Sequence, residues 1–573
     1  MSAPRQPLRP GTPGETPGPR GDDDAFDWIS SPLRRVRFGR MLVLAGPLGL
    51  AVALVLSLWV STMHVRHSLI VQVESTWQPG ERLGIRAQIV AARSGPIVGT
   101  RMHAAVEQGG VTTPLAQLAI VADGAGGEQS LQLPATLVPG PATLVLDVTA
   151  DGVDAMHERI EVDVVADRPV RAPRPIVAGS TLQYGDDSDA QLTSARVVVR
   201  PAGRLLAGFD NVVFVRVTDG AGAPHVGMIE VALPDGEFMG KTGDGERPPV
   251  LFRGSPDALG LVRLEGPLGS EVLRLDVRLL DGGGAVTQHR LVRLVSFAGG
   301  VMASAAPEVV APGDAIELKV WGLSAKLPIY VDVHGDDGAF VDVMTPPVIG
   351  REPPRPWTTP AGLAGVVQFE AHNQVTAPGE STAFVRVQVT QADPRGRDAL
   401  LELVALQRAH ADDARVERDY DAALERAFLD RIGTLTLDRE GIARARGFLL
   451  GTLPPSIFGP PVAVATRPRL EQELLQQQGR WRTAMRVFLL GGGALFLGAM
   501  TLGMIRSHRR AAAATLAELG SDAAADPQGY AALRQQVQAA ARAGILRGLG
   551  VVAIMVGGIA LTMFILESLV WVF

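Results

Sequence analysis

The chain has no cysteine among its 573 residues. That excludes a disulfide framework, a thiolate metal site, a thiol nucleophile and lipid attachment through sulfur. Lysine is nearly missing too: Lys241, Lys319 and Lys326 are the only three, and arginine carries the remaining basic charge. Such a bias fits a GC-rich bacterial genome. Aromatic residues make up 5% of the chain, without the clusters that would line a sugar-binding groove. The formal net charge of −6 is too mild for its length to imply nucleic acid as a partner. Without cross-links, the soluble part must rest on apolar cores alone, which domains of about 100 residues can supply. A chain of this length carries a prior of three or four domains.

What is present is a long apolar run. Met41 to Met63 reads MLVLAGPLGLAVALVLSLWVSTM, with no Asp, Glu, Lys or Arg. As a helix it rises about 35 Å, enough for a bilayer core of about 30 Å. Pro47 is tolerated in such a helix. Arg34, Arg35, Arg37 and Arg40 precede it, so the positive-inside rule puts the N-terminus in the cytoplasm. The run starts too late and is too long for a cleaved signal peptide; it reads as a signal anchor. Residues 1–40, rich in Pro, Gly, Arg and Asp, are expected to be a disordered cytoplasmic N-terminus. A second span is expected at 487–505, followed by Arg506, Arg509 and Arg510, and a third at 548–569. Between them lies a cytoplasmic, Ala-rich helical loop, 506–547. Arg480, Arg482 and Arg486 on the outer side pull against this assignment.

From His64 to about Thr390 the pattern alternates with period two. Val212–Val217, Ile316–Trp321 and Phe384–Val389 are examples, the signature of half-buried strands. Turn residues recur about every 8 to 12 positions, as in β-sandwiches. The region also repeats. Pro96-Ile-Val-Gly99 returns as Pro224-His-Val-Gly227, and Leu144-Val-Leu-Asp-Val148 as Leu273-Arg-Leu-Asp-Val277, at offsets of 128 and 129. Pro79-Gly80-Glu81 returns as Pro312-Gly313-Asp314. Three sandwiches are therefore expected, at 68–167, 175–297 and 299–392.

The stretch DGAGAPHVGMIEVALPDG, Asp219 to Gly236, resembles the opening of a macroglobulin-type immunoglobulin-like domain: a polar turn, a Pro-x-x-Gly step, a strand and a second Asp-Gly turn. Gly126 to Val148 resembles its close. The resemblance covers about 320 residues and implies the fold, since such domains are widely reused. The thioester chemistry of alpha-macroglobulins needs a cysteine and does not transfer.

After Asp393 the period becomes helical. A helical segment is expected at 398–453, with Asp438 as an N-cap. A stiff Pro-rich linker is expected at 454–468, then a juxtamembrane helix at 469–486.

Each signal for chemistry has a plainer reading. Gly236-Glu-Phe-Met-Gly240-Lys241-Thr242 has one residue too few between its glycines for a phosphate loop and reads as a turn. His64 and His67 read as an interfacial pair, not a metal site. Asp186, Asp187 and Asp189, and Asp336 and Asp337, lack calcium-loop spacing and read as solvated turns. No nucleophile elbow or Ser-x-x-Lys pair stands in the right context. Glu567, in the last span, is read as interfacial rather than functional. Ala494/Gly498, Ala499/Gly503 and Ala553/Gly557 are spaced for close helix packing, within the chain's own hairpin or against a partner.

The expectation is a mainly β protein of the bacterial inner membrane: tandem Ig-like, macroglobulin-like β-sandwiches outside the cytoplasm, C-terminal helices and three transmembrane helices. It is expected to be non-enzymatic, with no catalytic, cofactor-binding or metal-binding residue, no cofactor, and neither nucleotide nor nucleic acid as ligand. Its partners would be the lipid bilayer and a membrane or periplasmic protein, which it would serve as scaffold or accessory subunit. The three sandwiches would form a rod tethered at both ends. Alternatives are an enzyme, or its regulator, acting on envelope polymers, and an accessory subunit of a transporter.

Overall fold

The computed structural model describes residues 32–91, 97–121, 125–169, 174–175, 184–185, 195–244, 246–298, 300–322, 329–344, 356–373, 382–412, 422–453, 456–458, 461–519 and 527–568. The expected disordered segment is thus outside the described residues as far as position 31, as are Asp186, Asp187 and Asp189. The chain divides into two units, Arg66–Arg467 and the remainder.

Arg66–Arg467 is built mainly of antiparallel sheets, and they repeat. The first pair of sheets places Val462–Ala465, His67–Val73, Arg82–Ala91, Gly126–Gln132 and Ala119–Ile120 side by side. Facing them run Thr76–Trp77, Val153–Val164, Gly140–Ala150, Arg101–Gln108 and Val111–Gln117. Leu69, Ile85 and Leu131 from one sheet meet Leu144, Leu146 and Ile160 from the other in a single core. In the second module, Arg196–Pro201, Asp210–Thr218 and Leu261–Pro267 face a sheet ordered Tyr184–Gly185, Val286–Val295, Val272–Leu280, Met228–Phe238, Lys241–Asp244. The third has Val301–Ala306, Ala315–Gly322 and Pro356–Thr358 in one sheet. Its other sheet runs Val309–Val310, Ala383–Val389, Gly365–His372, Tyr330–His334, Phe340–Met344.

The sequence repeats fall on equivalent strands. Leu144–Val148 and Leu273–Val277 both lie in a strand flanked by its hairpin partner and by the strand that follows the opening sheet. Each module has a two-residue strand paired parallel to the end of its last strand or just beyond it: Thr76↔Asp163, Leu206↔Phe297 and Val309↔Gln388. Gly80 and Gly313, the repeated Pro-Gly turns, both have positive φ, which glycine adopts without the steric cost of a Cβ. Trp77, Phe340 and Trp357 are buried core residues, as is Tyr330.

Three helices follow, Arg397–Asp412, Ala422–Thr434 and Arg439–Gly451. Asp438 caps the last, accepting from the Gly441 amide at 2.7 Å. Their apolar faces meet Phe214, Leu259 and Leu261 of the second module and Val366 of the third in one more core. Helix Ala422–Thr434 also inserts Glu425, buried between Arg200 and Arg216, with the Arg216 guanidinium 4.3 Å from the Phe428 ring centre. Burial works to raise the Glu425 carboxyl, but the two guanidiniums outweigh it and hold the group below the usual range.

The described parts of the Pro-rich stretch hold two short strands where the sequence predicts a linker. Ser456–Ile457 pairs with Arg174–Pro175, and Val462–Ala465 pairs with His67–Val73. Just before the second of these strands, the Pro461 carbonyl accepts from the Val73 amide at 3.2 Å. Nor do the modules string out as a rod: the third folds back on the first, with Arg86 of one bonded to Asp332 of the other.

In the other unit, helix Pro32–Ser61 begins well before the apolar run at Met41. Helix Arg467–Val487 continues through a π-turn, Phe488–Gly492, into Gly493–Leu519, and helix Pro527–Ser568 returns. Three helical stretches are long and apolar enough to cross a membrane: Leu44–Ser61, Arg467–Glu518 and Gln528–Ser568. The close approaches are not at the expected glycines. Gly498, Gly503 and Gly557 face open space, whereas Gly46 meets Met555, Gly493 meets Ile559 and Gly548 meets Met504.

Candidate functional site

Among the described residues, charged groups converge in a buried ionic seam between the first and third modules. Strands Tyr330–His334 and Gly365–His372 pair with Tyr330 opposite His372 and Asp332 opposite Glu370. Successive side chains alternate across a strand. Val331, Val333, Val367 and Phe369 therefore enter the third core, while Asp332, His334, Gln368, Glu370 and His372 share the opposite face. A free sheet would turn that face to water. Here all five are 3% exposed or less, because the first module, Phe458 and Arg386 cover them between them.

Arg86, from the middle of strand Arg82–Ala91, is the hub. It is 1% exposed. Its Nη1 donates to Asp332 Oδ1 at 2.7 Å and its Nε to Glu128 Oε2 at 3.1 Å. Its guanidinium lies 4.7 Å from the Tyr330 ring centre, a cation–π distance. The second oxygen of Asp332 is 2.6 Å from His372 Nε2. Burial acts to raise the Asp332 carboxyl, but Arg86 and His372 outweigh it, and His334 adds to the pull; the group is held well below the usual aspartate range.

Around this hub the seam is closed by backbone. The edge strand Phe340–Met344 offers its Phe340 amide to Glu74 Oε1 of the first module at 2.8 Å. Asp342 pairs with Arg82 at 2.5 Å and accepts from Trp357 Nε1 at 2.7 Å. The close approach is made at Gly84, where a Cβ would lie 3.0 Å from the Asp342 carbonyl carbon. On the other side the Phe458 amide donates to Glu370 Oε1 at 2.8 Å, and the Phe458 ring lies over His334 with centres 5.3 Å apart. His334 Nε2 is 3.8 Å from Glu370 Oε2. Arg386 reaches from the same face to Gln368 Oε1 and to the Leu453 carbonyl at the end of the last of the three helices; burial lowers its guanidinium to about 10.

Buried and ion-paired around Arg86, these groups fix two modules against each other. Among the described residues, no group of three or more His, Asp or Glu is placed to hold a metal ion. A separate open depression of about 590 Å³ lies on the first module, lined by Ser75, Glu107, Gly110, Arg159 and Asp163 among others, with Glu107 and Arg159 ion-paired at 2.5 Å.

The sequence-marked residues are elsewhere. Met239 and Gly240, both at positive φ, make the hairpin turn in the phosphate-loop-like stretch. Lys241 Nζ there donates to the Val250 carbonyl. His64 follows the first long helix, and His67 opens a strand. Asp336 and Asp337 form the expected hairpin turn. Glu567 is ion-paired with both Arg482 and Arg486, so two of the three arginines that weighed against the second span share a counter-ion. Nearby, Gln478 donates to the Val60 and Met63 carbonyls at the end of the first long helix.

No protein-family model matches the chain, and no curated protein does. Among solved structures, trypsin-activated alpha-2-macroglobulin of Escherichia coli matches at 12% identity and TM-score 0.16, over 58% of this chain and 25% of that one. A Salmonella alpha-2-macroglobulin variant matches at 11% identity and TM-score 0.15, over 57% and 23%. A tandem-repeat extending region of a large adhesion protein matches at 12% identity and TM-score 0.15, over 56% and 74%. The chain thus spans about a quarter of the length of the macroglobulins it matches. At these TM-scores the likeness carries no argument, and the fold stands on its own sheets.

Proposed function

We propose that the protein is a non-enzymatic scaffold or accessory subunit of a bacterial envelope complex. It presents three macroglobulin-like or Ig-like β-sandwich modules outside the cytoplasm, from an inner membrane that its chain crosses three times. The carrying observation is the antiparallel pairing of His67–Val73 with Val462–Ala465, reinforced by the ionic seam. The segments that lead to and from the apolar helices are neighbours in one sheet. The body is then a closed insert in a membrane protein, and the buried charges of the seam serve to fix its modules. In this reading the outer surface is what serves function: sandwich edges and loops bind other proteins by strand addition or surface patches. Gly498, Gly503 and Gly557, which the chain's own helices leave uncovered, agree with a helical membrane partner.

The test is purification of the tagged protein from its native membrane in mild detergent, with mass spectrometry of what accompanies it. A stoichiometric membrane or envelope protein that survives washing is the expected result. A protein that emerges alone and monodisperse argues against the subunit role.

A further inference from the structure

Helices Gly493–Leu519 and Pro527–Ser568 pack antiparallel, and two contacts fix their relative level. Gly548 meets Met504, and Gly544 meets His508. This register places Arg506, Arg509 and Arg510 of one helix beside Arg542 and Arg547 of the other. At 1.5 Å per residue the five span about 8 Å along the hairpin. With His508 and Gly544 facing the partner helix, Arg506, Arg510 and Arg542 fall on outward faces at 100° per residue. All five arginines are exposed, and among the described residues none is in an ion pair. No Asp or Glu occurs from 505 to 517 or from 527 to 566. The band begins where the apolar stretches of both helices end.

We propose that this band is a binding surface for anionic phospholipid headgroups. Five unneutralised guanidiniums at the edge of an apolar hairpin match a layer of phosphates: each guanidinium can take a phosphate in a two-pronged hydrogen-bonded pair. The Ala-rich stretches next to them, 511–517 and 527–541, offer no competing carboxylate. Recruitment of anionic lipid goes beyond the orienting effect of cytoplasmic arginines, because it selects which lipid surrounds the helices. The inference rests on the membrane-crossing reading, not on any protein partner. Each arginine near an anionic surface contributes on the order of fivefold to the association.

The full chain, reconstituted into nanodiscs of equal parts phosphatidylglycerol and phosphatidylcholine, is re-extracted in mild detergent and its retained lipids are quantified. The wild type is expected to retain phosphatidylglycerol at least fivefold over phosphatidylcholine. Changing all five arginines to Gln should abolish that preference, and changing all five to Lys, which keeps the charge that orients the hairpin, should preserve most of it. Equal retention of the two lipids by the wild type overturns the proposal, as does a preference unchanged in the Gln variant. Displacement of the retained lipid by millimolar inorganic phosphate or by a short oligonucleotide would also overturn it, by showing a general anion site. A chain that fails to enter nanodiscs overturns the membrane-crossing premise and the proposal with it, whereas loss of lipid preference alone leaves the scaffold reading standing.

Discussion

Asp332 is the residue on which the seam depends. Arg86 and His372 both address its carboxylate, so Asp332→Asn leaves a buried guanidinium short of its nearest counter-charge. Removing one partner from a buried pair costs about 3–5 kcal/mol, and the urea midpoint of the purified protein should fall accordingly. The carboxyl is held below its ordinary value of 3.8 in the fold. Its stabilisation is therefore fully present above that value and is lost as the pH falls through the lower folded one. Urea midpoints measured from pH 6 downward should drop for the wild type in the acid limb, and more shallowly for Asp332→Asn. An unchanged midpoint in the variant would mean that the seam holds without this carboxylate. At this scale the sequence did carry a mark. In YVDVH and QFEAH (Tyr330–His334, Gln368–His372) polar residues alternate with apolar ones, which ordinarily means a face in water. Alternation reports that one face differs from the other; it cannot report that the first module, 246 positions away at Arg86, packs on the polar one.

Elements were legible where their own residues decide them. The strands around Val212–Val217, Ile316–Trp321 and Phe384–Val389 declare themselves by period, and Asp438 by its place before a helical run. Val462–Ala465 did not. Four residues between prolines read locally as linker, and what makes them a strand is an open edge at His67–Val73 waiting to be paired. Thr466 secures that addition: its Oγ1 accepts from the buried Leu69 amide at 2.8 Å, and its own amide donates to the Leu69 carbonyl at 2.9 Å. Thr466→Val should leave the first donor unsatisfied and cost about 1–3 kcal/mol. Hydrogen exchange read on the amides of His67–Val73 should quicken while that of the second module stays as it was. Uniform exchange across all three modules would mean that the added strand is not a separable element.

The whole-molecule arrangement was the least readable, because it consists of contacts between distant parts. Three repeats can be counted from offsets of 128 and 129, but an offset does not tell a string from a closed ring. The chain's lack of cysteine makes closure easy to probe. Ile70 and Ala465 are Cα partners in the antiparallel pair, a separation of about 4.5–5.5 Å, within disulfide reach. The Ile70→Cys/Ala465→Cys protein should form an intramolecular bridge on mild oxidation, seen as a mobility shift reversed by reductant. Either single variant should not shift. A double variant that stays reduced would contradict the closed body.

The same pairing sets an order of events during synthesis. Thr466 lies 397 positions after its partner Leu69, so the first module cannot complete its sheet until nearly the whole body has been made. Until then His67–Val73 is an unpaired edge, the kind of strand that invites pairing with another chain. Completion of the body's first module thus records arrival of the body's last strand, and a chain interrupted anywhere in between would carry an exposed edge as the mark of the missing strand.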